Sequence, residues 1–175
     1  GVGVTKKEDT YPYVYASKLG SVQVTNLGIP GATAVQVLSD EVPKLNTLGP
    51  VLVTLLIGTN DIGNFVPLAT FRSNVQKIIA TTHAPGTQVI VIGIPDISNP
   101  ALVIPPYRWY FAFQKARFNA ALKGLCATGV CTFISLAPTD ANFTKDGPLY
   151  SADKFHPSAM GYALWADLIY VGTHH

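Results

Sequence analysis

The run Val51-Leu52-Val53-Thr54-Leu55-Leu56-Ile57, followed at once by Gly58-Thr59-Asn60-Asp61, decides how the rest of the chain is read. Seven consecutive apolar or β-branched residues with no charge among them fit a strand covered on both faces. Burial on both faces marks a parallel sheet, because its crossover connections lay helices on each side. Gly58 breaks the run, and Asn60 and Asp61 then place polar side chains just past the strand's C-terminal end. In open α/β sheets, ligands and chemistry gather there.

Outward from this segment the same alternation continues. Val89–Ile94 is a second nearly continuous apolar run, and Val22–Leu27 and Val130–Leu136 complete four strand candidates. Helix candidates lie between them. Tyr11–Leu19 has Thr10 as a possible cap and Pro12 in its first turn. Ala34–Leu45 contains Pro43, which is expected to end or kink it. Leu68, Phe71, Val75, Ile78 and Ile79 form one apolar stripe at helical spacing. Tyr107–Leu125 predicts a long aromatic-rich helix, and Ser158 is expected to cap a last helix reaching about Tyr170. The pattern predicts an α/β fold with a parallel sheet and helices on both faces. No repeat or linker interrupts it, so residues 1–175 are read as one domain.

Composition narrows the function classes. With 48% hydrophobic and 13% charged residues the chain is globular. A net charge of +2 is too small to argue for nucleic acid or an anionic membrane, and no Lys/Arg run concentrates it. No apolar stretch approaches the roughly 20 residues of a membrane span. No Gly-rich phosphate loop is present. Cys126 and Cys131 lack the four-ligand pattern of a structural zinc site. A disulfide joining a helix end to the next strand is the better reading, with two free buried thiols as the alternative. A disulfide would favour a secreted or periplasmic protein.

Acyl transfer needs a nucleophile, a base, a group that orients the base, and donors for the developing oxyanion. In Asp153-Lys154-Phe155-His156-Pro157, His156 can be the base, and Asp153 can turn back to hold its imidazole. Asn60 offers a side-chain NH2 as an oxyanion donor. Gly31, in the loop Asn26–Thr33, offers a backbone N–H with no side chain to block substrate. Taken singly, each has a plain structural alternative. D-x-x-H is often a loop ion pair or cap, Gly58–Asp61 is a plausible tight turn, and Gly28 and Gly31 are ordinary turn glycines. Their joint order, each after a strand or before the last helix, favours catalysis. Asp61 is expected to organise the Asn60 turn. The stretch Ile104–Phe111 either lines an acyl pocket or packs as core.

These segments resemble the SGNH, or GDSL-type, serine hydrolases. The Gly31 loop is similar to the family's second block, Gly58–Asp61 to its third, and Asp153–Pro157 to its fifth. The resemblance implies a flavodoxin-like three-layer α/β/α sandwich and no metal or organic cofactor. It implies an oxyanion hole from Asn60 and Gly31 together with the nucleophile's own N–H, with the nearby Gly28 as the alternative to Gly31. It also implies a triad completed by Asp153 and His156.

The departure is the first block, a Gly-Asp-Ser-Leu-like segment at the end of the first strand. Ser17, Ser21, Ser39, Ser73, Ser98, Ser135, Ser151 and Ser158 all read as structural or surface residues. The nucleophilic serine is therefore expected a few residues before Gly1, and the 175 residues are expected to be inactive without it. In a flavodoxin-like order the strand that precedes it is central, so its neighbours would carry unpaired backbone groups. Residues outside the chain, a segment swapped from another copy, or a rearranged sheet are expected to fill that place. The functional expectation is a bacterial carboxylesterase or lipase-like enzyme acting on small-molecule acyl esters, with no nucleic-acid partner. The alternatives are a non-catalytic binding protein of the same fold and a carbohydrate acetylesterase.

Overall fold

The computed structural model describes residues 1–45, 47–96, 99, 102–144 and 147–174. Strands β1 (Leu52–Leu56), β2 (Gln88–Ile92) and β3 (Thr132–Ile134) form one parallel sheet in the order β1-β2-β3. Thr54 pairs with Ile90, and Ile90 with Thr132. Alternation along β2 feeds two cores. Val89 and Val91 join one hydrophobic cluster, and Ile90 and Ile92 join the other, all at 3% exposure or less. This is why the run carries no polar alternation.

On one side lie helices α1 (Tyr11–Leu19) and α7 (Ala159–Thr173), whose Tyr15, Trp165 and Ile169 pack with Ile90 and Ile92. On the other lie α5 (Leu68–Thr82) and α6 (Tyr107–Cys126), locked by Phe71 against Phe118 with ring centroids 4.5 Å apart. Helices on both faces of a parallel sheet give the three-layer α/β architecture expected from the sequence.

Several local expectations change. Val22–Leu27 is not a strand. A strand persists only within a ladder. Across from this segment, separated by a cavity of about 610 Å³, lies β1. The cavity is walled on one side by Leu52–Leu56 and on the other by Val22–Ile29. Of the two effects expected of Pro43, an end or a kink, the end is not seen and the helix is instead distorted just ahead of it. The helical path runs through α2 (Ala34–Gln36), a π-helical turn at Val37–Glu41, and α3 (Val42–Leu45). Widening the turn just ahead of Pro43 accommodates its ring and its missing N–H. Thr10 does not cap α1 with its side chain, which donates to Lys7 O at 2.7 Å instead. Ser158 does cap α7, accepting from Gly161 N at 3.3 Å. Cys126 and Cys131 are disulfide-bonded, joining the end of α6 to the approach to β3. Among the described residues, no helix is long and apolar enough to cross a membrane.

Candidate active site

The site assembles at the C-terminal end of β1. Gly58 sits at φ +112, and a Cβ there would lie 2.5 Å from Ile94 Cδ1 and 3.1 Å from the Phe71 ring. Only glycine lets the chain turn this tightly over the core. The turn leads directly into α4 (Thr59–Gly63), so Asn60 stands in its first turn. Asn60 Nδ2 donates to Ala32 O at 3.0 Å. Its NH2 carries two hydrogens, so a second donor remains.

Asp61, 1% exposed, accepts from Ala34 N with both carboxylate oxygens, at 3.1 and 3.0 Å. Burial pushes its carboxyl up, partly offset by the N–H groups of Ala34 and of Asp61 itself. Its role is wider than organising the Asn60 turn, because it clamps α4 to the start of α2. That clamp brings the glycine loop against Asn60. In the loop, Pro30 and Gly31 occupy a turn closed by Ala32 N to Ile29 O at 3.1 Å, with Gly31 at φ +83. The N–H of Gly28 donates to Asn26 Oδ1 at 3.0 Å. That commitment separates it from Gly31 as a candidate donor.

The third segment is a tight loop. Tyr150 and Pro157 form an antiparallel bridge, Ser151 N donates to His156 O at 2.8 Å, and Lys154 takes a left-handed φ of +61. The turn carries His156 back over Asp153, with Nδ1 2.6 Å from Oδ2. Oδ1 accepts from Ser151 Oγ at 2.7 Å and from the N–H groups of Phe155 and His156 at 2.9 Å each. Burial alone would raise the Asp153 carboxyl. The imidazole, the two N–H groups and the Ser151 hydroxyl outweigh it and hold the carboxyl well below the usual carboxylate range. With Nδ1 facing the carboxylate, Nε2 is the imidazole nitrogen not engaged by Asp153.

His156, Asn60 and Gly31 line one cavity of about 300 Å³, and Gly1 and Val2 line it with them. Asp153 stands behind His156, outside the lining. The first residues of the chain are fixed against α7 and this loop. Tyr162 donates its hydroxyl to Val2 O at 2.8 Å, and a Cβ on Gly3 would come within 2.9 Å of His156 Cβ. The cavity abuts the larger one beside β1, with Tyr11, Leu56 and Asn60 in both walls.

None of the described serines lines the 300 Å³ cavity. Ser151 is bound to Asp153 behind the imidazole, Ser17 donates to Val14 O, and Ser158 donates to Pro148 O while capping α7. Ser98 falls outside the described residues. The stretch from Ile104 to Phe111 does not line the cavity either, and most of it is not core. Ile104, Tyr107 and Trp109 project outward, while Tyr110 and Phe111 pack against the α5–α6 cluster.

Two features have no local sequence signal. Asn119, from the middle of α6, accepts from Ile94 N at 2.7 Å and donates to Ile94 O at 3.0 Å, bracing the loop after β2. Asp140 joins Asp96 on the cavity wall and is ion-paired with Lys115. Beside them the Tyr150 phenol is pushed up, first by burial and then by these two carboxylates. These contacts span 25 to 44 positions of chain, so spacing alone does not announce them.

Residues 1–164 match the family model described as the GDSL-like lipase/acylhydrolase family. A GDSL-like esterase of Mycobacterium tuberculosis is 26% identical over 156 residues, which is 86% of this chain and 49% of that protein. The chain thus spans about half the length of the curated relative it matches. The crystal structure of TesA superposes with a TM-score of 0.77 at 18% identity, covering 99% of this chain and 91% of that one. The psychrotrophic esterase EstA from Pseudoalteromonas, in a structure inhibited by monoethylphosphonate, gives 0.73 at 17% identity, with 96% and 87% covered. The acetylxylan esterase Axe2 from Geobacillus stearothermophilus gives 0.77 at 17% identity, with 94% and 81% covered. At these identities the structural likenesses speak for the fold.

Proposed function

The chain belongs to the GDSL-like lipase/acylhydrolase family, and from that membership we propose that it forms the body of a serine ester hydrolase working through an acyl-enzyme. The observation that carries this reading is one arrangement. His156, held by Asp153 at 2.6 Å, faces the same 300 Å³ cavity as Asn60 and Gly31.

The nucleophile in this proposal is a serine outside the 175 residues, brought into the cavity beside Gly1. Two facts support it: Gly1 and Val2 line the cavity, and no described serine does. His156 Nε2 takes the proton as the serine oxygen attacks the ester carbonyl. Asn60 Nδ2, Gly31 N and the N–H of the serine stabilise the tetrahedral oxyanion. The intermediate collapses, the alcohol leaves with the proton from His156, and His156 then activates water to release the acid. Asp153 keeps the imidazole in one tautomer and stabilises its cation.

A cavity of about 300 Å³ with both apolar and polar lining residues suits short acyl esters. Acetylated carbohydrate is the finer substrate reading, supported by the likeness to an acetylxylan esterase. The strand position beside β1 is proposed to be filled by the segment carrying the serine, from the same chain or from another copy.

The test is turnover of p-nitrophenyl acetate by the protein extended at its N-terminus through the serine. Hydrolysis that falls by a factor on the order of 10³ or more in His156→Ala supports the proposal. Equal turnover by the variant contradicts it.

A further inference from the structure

Helix α6 carries an apolar stripe on its outside. Trp109 is 68% exposed and Phe113 61%, one turn apart, and the exposed Ala116 and Ala120 continue the same line. Ile104, 69% exposed, stands just ahead of the helix, and Phe65, 62% exposed, flanks it with its ring 5.4 Å from that of Tyr110. Large apolar side chains scattered singly are ordinary on a surface; several in one contiguous patch mark an interaction site.

Charge says what kind of site. The net charge of +2 conceals a partition. From Ile62 to Thr139 there are six basic residues and one acid, Asp96, whereas the rest of the chain carries six basic residues and nine acids. Helices α5 and α6, which pack on the same face of the sheet, contain no Asp or Glu at all. Lys115 turns inward to Asp140. Among the described residues, no carboxylate lies within 4.0 Å of Arg72, Lys77, Arg108, Arg117 or Lys123. The Arg117 guanidinium lies 5.4 Å from the Phe113 ring centroid, so cation and apolar surface are presented together.

We propose that the outer face of α6 docks on an anionic phospholipid surface. Trp109, Phe113 and Ile104 enter the headgroup region, and Arg108 and Arg117 meet lipid phosphates. Tryptophan and phenylalanine on one face with arginine beside them is the chemistry of helices that lie in a bilayer interface. Each basic residue held near an anionic bilayer adds to the attraction. A second copy of this chain is the poorer occupant. Across a two-fold contact the same face meets itself, and a surface with cations and no acid repels its twin. The patch begins close to the cavity, because Phe65 follows α4 and Asn64 Nδ2 donates to Asn60 O at 2.8 Å. Docking would set the cavity's rim beside the lipid. Docking is independent of ester hydrolysis, since binding is measured without turnover.

The experiment is co-sedimentation of the protein with vesicles of phosphatidylcholine alone and of phosphatidylcholine mixed with phosphatidylglycerol. The expected result is binding to the mixed vesicles at least about tenfold tighter than to phosphatidylcholine alone, relieved by high salt. Trp109→Ser/Phe113→Ser should weaken it by about tenfold or more, and Arg108→Gln/Arg117→Gln should remove the preference for the anionic lipid. All four side chains are exposed, and unchanged thermal melts of both variants verify folding. A blue shift of tryptophan emission on vesicle addition, lost in Trp109→Phe, is the second readout. The proposal is overturned if wild-type protein ignores both vesicles or if the serine variant binds as well as wild type. Tighter binding to a DNA duplex than to the mixed vesicles also overturns it. So does a concentration-dependent dimer that the serine variant abolishes while vesicle binding stays the same.

Discussion

One oxygen of Asp153 holds the imidazole of His156, and the other holds the loop that carries it. Asp153→Asn keeps the shape but exchanges an acceptor for an amide, which favours the wrong tautomer. In the serine-containing protein kcat is expected to fall by a factor on the order of 10³–10⁴. Asn60→Ala removes an oxyanion donor and should lower kcat by roughly 10²–10³ with little change in KM, measured by steady-state kinetics. The carboxyl of Asp153 is depressed in the folded state, so its contribution to stability is fully present above its unfolded pKa of about 4. That contribution is lost as pH falls from there through the lower folded value. Denaturant midpoints of wild type and Asp153→Asn should therefore converge on acidification below about pH 4 and stay apart at neutral pH. The Asp153–His156 contact and the place of Asn60 past the end of β1 were legible because the spacing is local, three residues in one case and a strand end in the other. Gly31 was not separable from Gly28 by sequence, because the difference is a hydrogen bond from Gly28 N to a side chain two residues away. Asp61 was read too narrowly. Its partner, Ala34 N, lies 27 positions away.

At the scale of elements, continuous apolar runs announced themselves, although only β2 is buried on both faces and β1 is partly buried along its length, whereas segments that depend on a distant partner did not. α1 coincides with its expected bounds, and β1, β2, α5 and α6 fall within three residues of theirs. Val22–Leu27 has strand composition but no ladder, and the distortion expected at Pro43 takes the form of a π turn just ahead of it instead of a helix end. β2 is bonded on both sides and β1 only to β2 among the described residues. In native-state hydrogen exchange the amides of β2 should be the slowest of the sheet, and β1 should open at lower free energy. The disulfide closes a short loop, Cys126 to Cys131. Loop entropy then predicts that Cys126→Ser/Cys131→Ser costs about 2 kcal/mol, read from the denaturant midpoint.

For the whole molecule, alternation of strands and helices was enough to predict the three layers, because each layer follows from which faces must be buried. Surface organisation was hidden from composition. A charge summed over the chain cannot register that one helical layer is basic and the rest acidic. Nor can a window over Ile104–Phe111 tell outward aromatics from core. The cavity walled by His156, Asn60 and Gly31 is proposed to be an acyl-transfer site served by a serine outside the 175 residues. The most direct measurement is mass-spectrometric mapping of the adduct formed by a fluorophosphonate, with the 175-residue chain and the N-terminally extended protein treated in parallel. One adduct is expected, on a serine preceding Gly1, absent from the shorter chain and suppressed by His156→Ala. An adduct on Ser151 or any other serine within residues 1–175, formed just as readily in the shorter chain, would contradict it.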